Sequence, residues 1–437
     1  MTTAAALAAC SGVSRDAGYQ TVQQSVDRAI APKISPADTA AAAKTAMLRD
    51  PLTADAAVRL AMANNAELLA SFEEVGLARG DLVAAGVLPN PNFKGSVRWR
   101  DSSPGSNPEL ELTWDVMELL RRSKRRNVAH AEMNRVAYQV SDRALAFAAD
   151  VRTSFYDYQA AEHVRRMRVE VLRAARASAE LSSRQRSSGN ISELEKALEQ
   201  SVYQDARLDL LRSEADATVA RTSLAGRLGL AAADTSWSVA TELPELPAAD
   251  PSADTLQALA LQGRFDLLAA RTELDASRRD VSYQKSFRIP SLEIGVDAER
   301  EFEEEWAYGP VVHMAIPLFD RGQGGVDRAQ ARVRQAEHGV ASLETRVRND
   351  VRGSWERLSA ARSIAEMYRD DVIPTKEKVV EESQRHYNYM LVGPMTLLQA
   401  KRDEIEAYQK YIEAVRDYWS ARAELERAVA RPIEELE

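Results

Sequence analysis

The spacing of hydrophobic and polar positions changes several times along this chain. Between residues 91 and 101, and again between 109 and 116, apolar residues alternate with polar ones. Period two with one apolar face is typical of a β-strand. Similar alternation follows Pro290 and continues from Pro310. The sequence therefore predicts four strands, two within residues 91–117 and two within 290–318. Their apolar faces comprise Phe93, Gly95, Val97, Trp99, Leu110, Leu112, Trp114, Val116, Leu292, Ile294, Val296, Ala298, Pro310, Val312, Met314, Ile316 and Leu318.

Long segments without proline predict helices between these strands. Residues 119–187 contain no proline, and a helix of that length spans about 100 Å at ~1.5 Å per residue. Pro374 predicts a local kink in a second long helix. Helices this long have no core of their own, so antiparallel coiled-coil partners are expected. The predicted helices are 52–87, 119–187, 191–228, 253–287, 326–389 and 395–430.

The order of elements occurs twice, about 200 positions apart. Asp150-Val151-Arg152 recurs as Asp350-Val351-Arg352, and Pro91 before the first strand recurs as Pro290. The chain is thus predicted to contain two copies of one unit. The copies are residues 52–230 and 253–430, joined by a linker at 231–252 and followed by a tail at 431–437.

Composition narrows the function classes. The net charge of −9 and the pI of about 5.4 argue against nucleic acid as a partner, since phosphate binding needs a basic face. No segment approaches the ~20 consecutive apolar residues of a membrane-spanning helix, so any insertion would use strands or a lipid. The five histidines are scattered, which supports neither a zinc site nor an enzyme. No cofactor is expected.

The N-terminal segment contains Cys10, the only cysteine of the chain. Leu7-Ala8-Ala9-Cys10 is similar to a bacterial lipobox, in which the cysteine is acylated. Residues 1–10 are therefore interpreted as a shortened lipoprotein signal, and residues 11–51 as an extended tether. The alternative is a stray cysteine in an Ala-rich leader.

The strand segments fit a membrane environment in length and polarity. Strands of about 9 to 11 residues with one apolar face match tilted transmembrane strands, although a soluble sheet with one wet face is the alternative. Trp99, Trp114, Trp306 and Tyr308 near the strand ends favour the membrane. Four strands cannot close a barrel, but three copies would supply twelve. The polar face would line a wet lumen through Arg98, Arg100, Glu111, Asp115, Asp297 and Glu299.

Turns and charges suggest further sites. Gly189 and Gly393 are predicted to take positive φ at tight helix–helix turns. The segment Gly322–Gly325 could be a phosphate loop, but it lacks the following Lys-Ser/Thr and is interpreted as a strand-to-helix junction. Near the second turn lie Arg385, Arg402 and Asp403, which form either a solvated surface or a salt-bridged gate.

In this order the elements resemble the TolC-like outer-membrane efflux family, from about residue 52 to 430. Three segments support the resemblance. They are the strand-to-helix junction Ile316-Pro317-Leu318-Phe319-Asp320-Arg321-Gly322, the turn Gly393-Pro394-Met395-Thr396-Leu397-Leu398-Gln399-Ala400 and the last helix around Tyr418-Trp419-Ser420-Ala421. The chain departs from many relatives by having Gln399 where acidic residues face the pore.

The resemblance implies a mainly α-helical homotrimer in the outer membrane of a Gram-negative cell. Its strands would form a 12-stranded β-barrel, and its long helices a periplasmic α-barrel tunnel. Small molecules or metal ions would leave passively, driven by an inner-membrane transporter of the RND type through a periplasmic adaptor. The adaptor would dock at Gly189, Asn190, Val392, Gly393 and Pro394. Lipidated relatives imply a palmitate anchor on Cys10 in the outer-membrane lipid.

Two other functions stay open at this point. An exit duct for type I protein secretion would use the same fold. A soluble periplasmic coiled-coil scaffold is the alternative from a different class, and it would not need four amphipathic strands.

Overall fold

The computed structural model describes residues 48–99, 101, 105–231, 237–240, 242–301 and 305–433. The predictions for Cys10, for the signal and tether up to residue 47, and for Arg100 lie outside the described residues. Within the described ranges, no helix is both long and apolar enough to cross a membrane.

Four antiparallel strands form one sheet in the order β1-β2-β3-β4. The strands are β1 Asn92–Trp99, β2 Ser106–Asp115, β3 Leu292–Glu299 and β4 Ala307–Met314. All four fall within the two segments predicted from the period-two pattern. The predicted second and fourth strands continue beyond the ends of the observed strands. Val116 already begins a helix, and β4 stops before Pro317, which has no amide hydrogen to continue a ladder.

The two faces of the sheet have the reverse of the usual exposure. On the apolar face, Phe93 is 70% exposed, and Trp99 and Tyr308 are each 77% exposed. On the polar face, Glu111 and Thr113 are buried. A water-soluble antiparallel sheet instead packs its apolar face against a core. The soluble-sheet alternative is therefore not supported.

The described part of the chain has nine α-helices, and their order repeats between the halves. The first half has α1 Ala54–Asn64, α2 Ala66–Gly86, α3 Val116–Ser187 and α4 Glu193–Arg227. The second half has α5 Ala253–Gly263, α6 Phe265–Ser286, α7 Gln323–Met367, α8 Ile373–Asn388 and α9 Pro394–Val429. The duplicated arrangement and the long helices agree with the sequence prediction.

Each predicted short helix is in fact two helices, with a break at the same place in both halves. Asn65 and Arg264 adopt extended backbone between the two helices. The Asn65 side chain accepts a hydrogen bond from the Leu68 amide at 3.1 Å and so caps α2. Arg264 instead forms an ion pair with Asp350 at 2.8 Å. The break was missed because both residues are compatible with a continuous helix in sequence.

The predicted kink at Pro374 takes a defined form. A π-helical turn, Tyr368–Val372, separates α7 from α8, and Pro374 lies in the first turn of α8. Proline cannot donate the backbone hydrogen bond that a continuous α-helix requires, so the chain changes its hydrogen-bonding register before it. The long helix predicted at 326–389 is therefore two helices.

The described chain divides into two compact units. In the unit that contains the sheet, the basic start of α3 holds the ends of two other helices. Arg122 donates to the carbonyl of Gly86 at 2.5 Å, and Arg125 donates to that of Ala85 at 3.0 Å, at the end of α2. Arg121 donates to the carbonyl of Ile289 at 2.6 Å, just beyond α6. Cationic side chains at helix C-termini satisfy carbonyls that have no intrahelical partner.

In the other unit, side chains from the long helices hold the described residues of the predicted linker. Gln159 donates to the carbonyls of Ala240 and Glu242, at 3.0 and 2.6 Å. Asp250, near its end, accepts hydrogen bonds from Arg362 at 2.7 Å and from Tyr418 at 2.9 Å. The two halves are thus fastened to the segment that connects them.

Gly295 in β3 is the position where the sheet tolerates no side chain. A Cβ atom there would lie 2.0 Å from the carbonyl oxygen of Leu112 in β2, so Gly295→Ala must displace backbone. We expect a loss of about 1–3 kcal/mol in the free energy of unfolding, as for overpacked sites. Thermal denaturation in detergent, followed by circular dichroism, would measure it. Gly95→Ala is the matched control, since its Cβ meets nothing closer than 3.6 Å. Equal melting temperatures for the two variants would contradict the prediction.

Candidate functional site

The polar face of the sheet is a network of charged side chains. Lys94 lies 3.3 Å from Glu111 and 3.9 Å from Glu109, and Arg98 lies 3.0 Å from Glu109. His313 of β4 approaches Glu111 at 3.3 Å. Glu111 is buried because these partners cover it. The structure therefore brings Arg98 and Glu111 onto one surface, as predicted.

Asp115 lies at the end of the same face but has a structural role as well. Its Oδ1 accepts hydrogen bonds from the amides of Met117 and Glu118, at 2.8 and 3.0 Å. This is the geometry of a side-chain cap at the start of α3. Asp115 thus fixes the transition from strand to helix, a role that the period-two pattern did not predict.

Asp297 and Glu299 follow on β3 and are weakly partnered. Glu299 accepts a hydrogen bond from the Asn107 amide at 3.3 Å. Asp297 has no hydrogen-bond or ion-pair partner among the described residues. Glu109, Glu293 and Asn107 belong to this surface too, although they were absent from the predicted lumen set. Their positions on the polar side of the alternation could have identified them.

Aromatic residues lie near the strand ends on the exposed apolar side. Trp306 and Tyr308 stack with ring centroids 6.3 Å apart. Trp114 donates from its indole nitrogen to the carbonyl of Pro89 at 2.7 Å. Exposed aromatic side chains with a polar tip suit a membrane–water interface.

The first helix–helix turn has the predicted glycine geometry. Gly189 has φ of +79°, and the Asn190 amide donates to the carbonyl of Gln185 at 2.9 Å. This six-to-one bond belongs to a Schellman motif, which needs a left-handed residue.

At the second helix–helix turn the residue with positive φ is not a glycine, so the prediction of positive φ at Gly393 is wrong. Met390 has φ of +60°, and the Leu391 amide donates to the carbonyl of His386 at 2.9 Å. Met390 is thus the counterpart of Gly189. Gly393 has φ of −80° and precedes Pro394 as the N-cap of α9. Val392 lies between these two features.

The three predicted gate residues are not paired with one another in the protomer. Arg402 forms an ion pair with Asp205 at 2.6 Å, which links α9 to α4. Asp403 pairs with Lys376 of α8 at 2.9 Å and accepts from Gln399 at 2.7 Å. The Arg402 contact joins the hairpins of the two halves, whereas the Asp403–Lys376 contact joins α8 and α9 of the second hairpin.

Among the described residues, Arg385 pairs only with Glu381 and Glu382 of its own helix. It therefore links no helices within the protomer. The Lys376 ammonium, followed by the Gln399 amide, holds the pKa of Asp403 below its usual value. A hydrogen bond to Glu377 raises the pKa of Tyr408 to about 12, and this bond also joins α8 to α9.

No group of three or more His, Cys, Asp or Glu side chains in the described ranges is arranged to hold a metal ion.

Comparison with known proteins agrees with this geometry. Residues 256–431 match the family described as outer membrane efflux protein. Over 385 residues the chain is 26% identical to the cobalt-zinc-cadmium resistance protein CzcC of Cupriavidus metallidurans, an alignment that covers 87% of this chain and 90% of that protein. The second half of the chain therefore has the sequence pattern of this family. The protein is accordingly an outer-membrane efflux channel component.

Solved structures of efflux channels have the same fold. The Campylobacter jejuni CmeC outer membrane channel superimposes with a TM-score of 0.73 at 14% identity, covering 88% of this chain and 87% of that one. The Neisseria gonorrhoeae MtrE outer membrane channel, in its open state, gives 0.67 at 16% identity, covering 86% and 88%.

The ion pairs of Arg402 and Asp403, which link different helices, lead to a prediction for this efflux protein. Arg402→Ala and Asp403→Ala should each raise single-channel conductance in planar bilayers, because each removes a link between helices. Arg385→Ala is the matched control and should leave conductance unchanged, since its partners lie on its own helix.

The Asp403 contact also predicts a pH effect. Because the folded-state pKa is depressed, the contact is present above the ordinary carboxyl value of about 4 and is lost as pH falls through the lower folded value. Acidification should therefore raise the conductance of the parent more than that of Asp403→Ala. Unchanged conductance in both alanine variants and in their double mutant would place the gate elsewhere.

Proposed function

We propose that the protein is the passive exit duct of a tripartite efflux system that expels divalent metal cations. The observation that carries the proposal is the inverted sheet, with exposed apolar residues on one face and carboxylates on the other. A surface of this kind suits a wall between lipid and water. The similarity to CzcC, which is named for cobalt, zinc and cadmium resistance, favours metal ions over drugs or proteins.

Closure of the wall calls for further copies of the chain. β1 and β4 are the two edges of the sheet, and each edge has backbone groups that lipid cannot satisfy. Three copies would place β4 of one protomer beside β1 of the next and give a barrel of twelve strands. The α-helical hairpins would then surround one periplasmic tunnel.

The second helix–helix turn supports docking of a periplasmic adaptor. Tyr389, Met390 and Leu391 are exposed there by 72%, 93% and 69%. Exposed apolar residues at a helix tip suit a protein partner. The adaptor would connect the duct to an inner-membrane transporter of the RND type. Type I secretion stays an alternative within this fold, whereas a soluble scaffold does not account for the exposed apolar sheet.

The first test is the assembly itself. In detergent, mass measurement should give a trimer with a strand signal in circular dichroism, and the purified protein should form stable pores in planar bilayers. Both results follow because a four-stranded sheet cannot remain open in lipid. A monomer that keeps its strands and stays in solution without detergent would refute the channel and support the scaffold.

The lipid anchor on Cys10 is a separate proposal, supported by Leu7-Ala8-Ala9-Cys10. Expressed behind an intact lipoprotein signal peptide, the parent should incorporate labelled palmitate and Cys10→Ser should not, because the thiol is the acylated group. Ser11→Ala is a control that leaves the thiol in place. Equal labelling of the parent and Cys10→Ser would contradict acylation at this residue.

A further inference from the structure

A cavity of about 550 Å³ lies within the unit that does not contain the sheet. Its walls come from α3, from the connecting segment (residues 242–252) and from α9, which contribute Met167, Leu243 and Ile412 among others. Volumes of about 300–1,000 Å³ are typical of small-molecule sites. The cavity is well separated from the first helix–helix turn, because Met167 and Gly189 lie roughly 33 Å apart along α3.

The cavity has an apolar floor and an acidic rim. Ile412 and Val415 are only 6% and 4% exposed, and they form the floor. Glu242 and Glu245 also line the cavity but are exposed to solvent, which places them at the rim. Neither of these carboxylates forms an ion pair with another residue that the structure describes. A ligand that complements this cavity therefore has an apolar body and a positive charge.

The remaining polar groups of the wall add no positive charge that would oppose such a ligand. Glu404 lines the cavity too, and its charge is already balanced by Lys401 at 2.8 Å. Burial lowers the pKa of His163, so its imidazole is neutral at pH 7. Tyr408 and Tyr411 present aromatic rings to the cavity, and the face of such a ring attracts a cation.

The walls are held in place by contacts that involve no ligand. Gln159 of α3 donates to the carbonyl of Glu242 at 2.6 Å. Trp419 of α9 donates to the carbonyl of Pro244 at 2.9 Å. Tyr411 packs against an apolar cluster in the interior of the same unit. The cavity is therefore formed before binding, which reduces the entropy that a ligand would have to overcome.

We propose that this cavity binds a small amphipathic organic cation, with the apolar body on the floor and the positive group at the rim. The inference is independent of the proposed metal efflux, since the cavity uses neither the sheet nor the helix–helix turns. A bare metal ion does not suit the cavity, because the described residues include no group of three metal-ligating side chains and the floor is apolar. A bound cation would contact both halves of the chain at once, through α3 and α9, and would stabilise their packing.

The first test is a binding titration of the full-length protein in non-ionic detergent. Ethidium serves as the aromatic cation, and 8-anilinonaphthalene-1-sulfonate serves as an aromatic anion. The anisotropy of ethidium fluorescence should saturate at one ethidium per protomer, because one chain supplies the whole cavity. The anion should not displace ethidium, since the rim is negative. Ethidium should also raise the melting temperature of the protein. Empty micelles give the background.

Two variants separate the rim charge from the cavity itself. Glu242→Gln with Glu245→Gln should raise the Kd of ethidium about fivefold, the upper size of one exposed ion pair. Met167→Trp keeps the carboxylates but fills part of the cavity, and it should abolish saturable binding. The matched control is Glu406→Gln with Glu413→Gln, which removes the same charge from α9 outside the cavity and should leave the Kd unchanged.

Each contrary result overturns the inference. Ethidium signals equal to those of empty micelles, or an unchanged Kd in the rim variant, would show that the acidic rim binds no cation. An equal rise of the Kd in the control would show general charge attraction instead of a site. Undiminished binding to Met167→Trp would place ethidium elsewhere; should that variant fail to fold, the rim variant decides, because it changes only exposed side chains. Pore formation is measured separately, so a protein that binds ethidium without forming pores would refute the channel and leave this site standing.

Discussion

Backbone hydrogen bonding at the edges of the sheet is the constraint on which the rest of the molecule depends. β1 and β4 each present an edge, and both lie beside a face of exposed apolar side chains. In water such a face would drive aggregation, and in lipid the edges would carry unpaired amides and carbonyls. Only closure of the sheet by further strands satisfies both faces and both edges. The duplicated chain supplies four strands towards that closure.

The long helices must leave this sheet in defined directions, and polar contacts fix them. Asp115 is the last residue of β2, and its side chain caps the start of α3. About two to three turns later, Arg122 and Arg125 donate to carbonyls at the end of α2, and Arg121 donates to a carbonyl beyond α6. Each contact satisfies a helix terminus that would otherwise have no partner. These hydrogen bonds fix the start of α3 against the ends of α2 and α6.

The sequence predicted what local periodicity controls and missed what tertiary contacts control. The strands and long helices were found because period two and the absence of proline act residue by residue. Arg264 pairs with the distant Asp350, which no local pattern reveals, whereas Asn65 caps the following helix through the nearby Leu68 amide. Likewise, Met390 takes the left-handed position that glycine usually fills, and a rule based on glycine therefore selected Gly393.

Local periodicity also predicted part of the candidate site, which is the polar face of the sheet. Alternation identified Arg98, Glu111, Asp297 and Glu299 as one face. The pairing of β2 with β3 depends on residues almost 190 positions apart, and no pattern within either strand specifies its register. Only the register shows that the carboxylates face each other instead of alternating with cations.

The two halves of the chain differ most in the long helix and in the helix–helix turn that follows it. In the first half, α3 runs without interruption, and its turn uses Gly189 at positive φ without strain. In the second half, a π-helical turn interrupts the equivalent helix, and Met390 takes a backbone conformation that is unfavourable for a side chain. The Lys376–Asp403 contact lies within this hairpin, and the Arg402–Asp205 contact joins it to α4 of the first half. A helix that is interrupted and strained, and that is held by exposed ion pairs, opens at lower free energy than a continuous one. We therefore expect the second hairpin to open before the first.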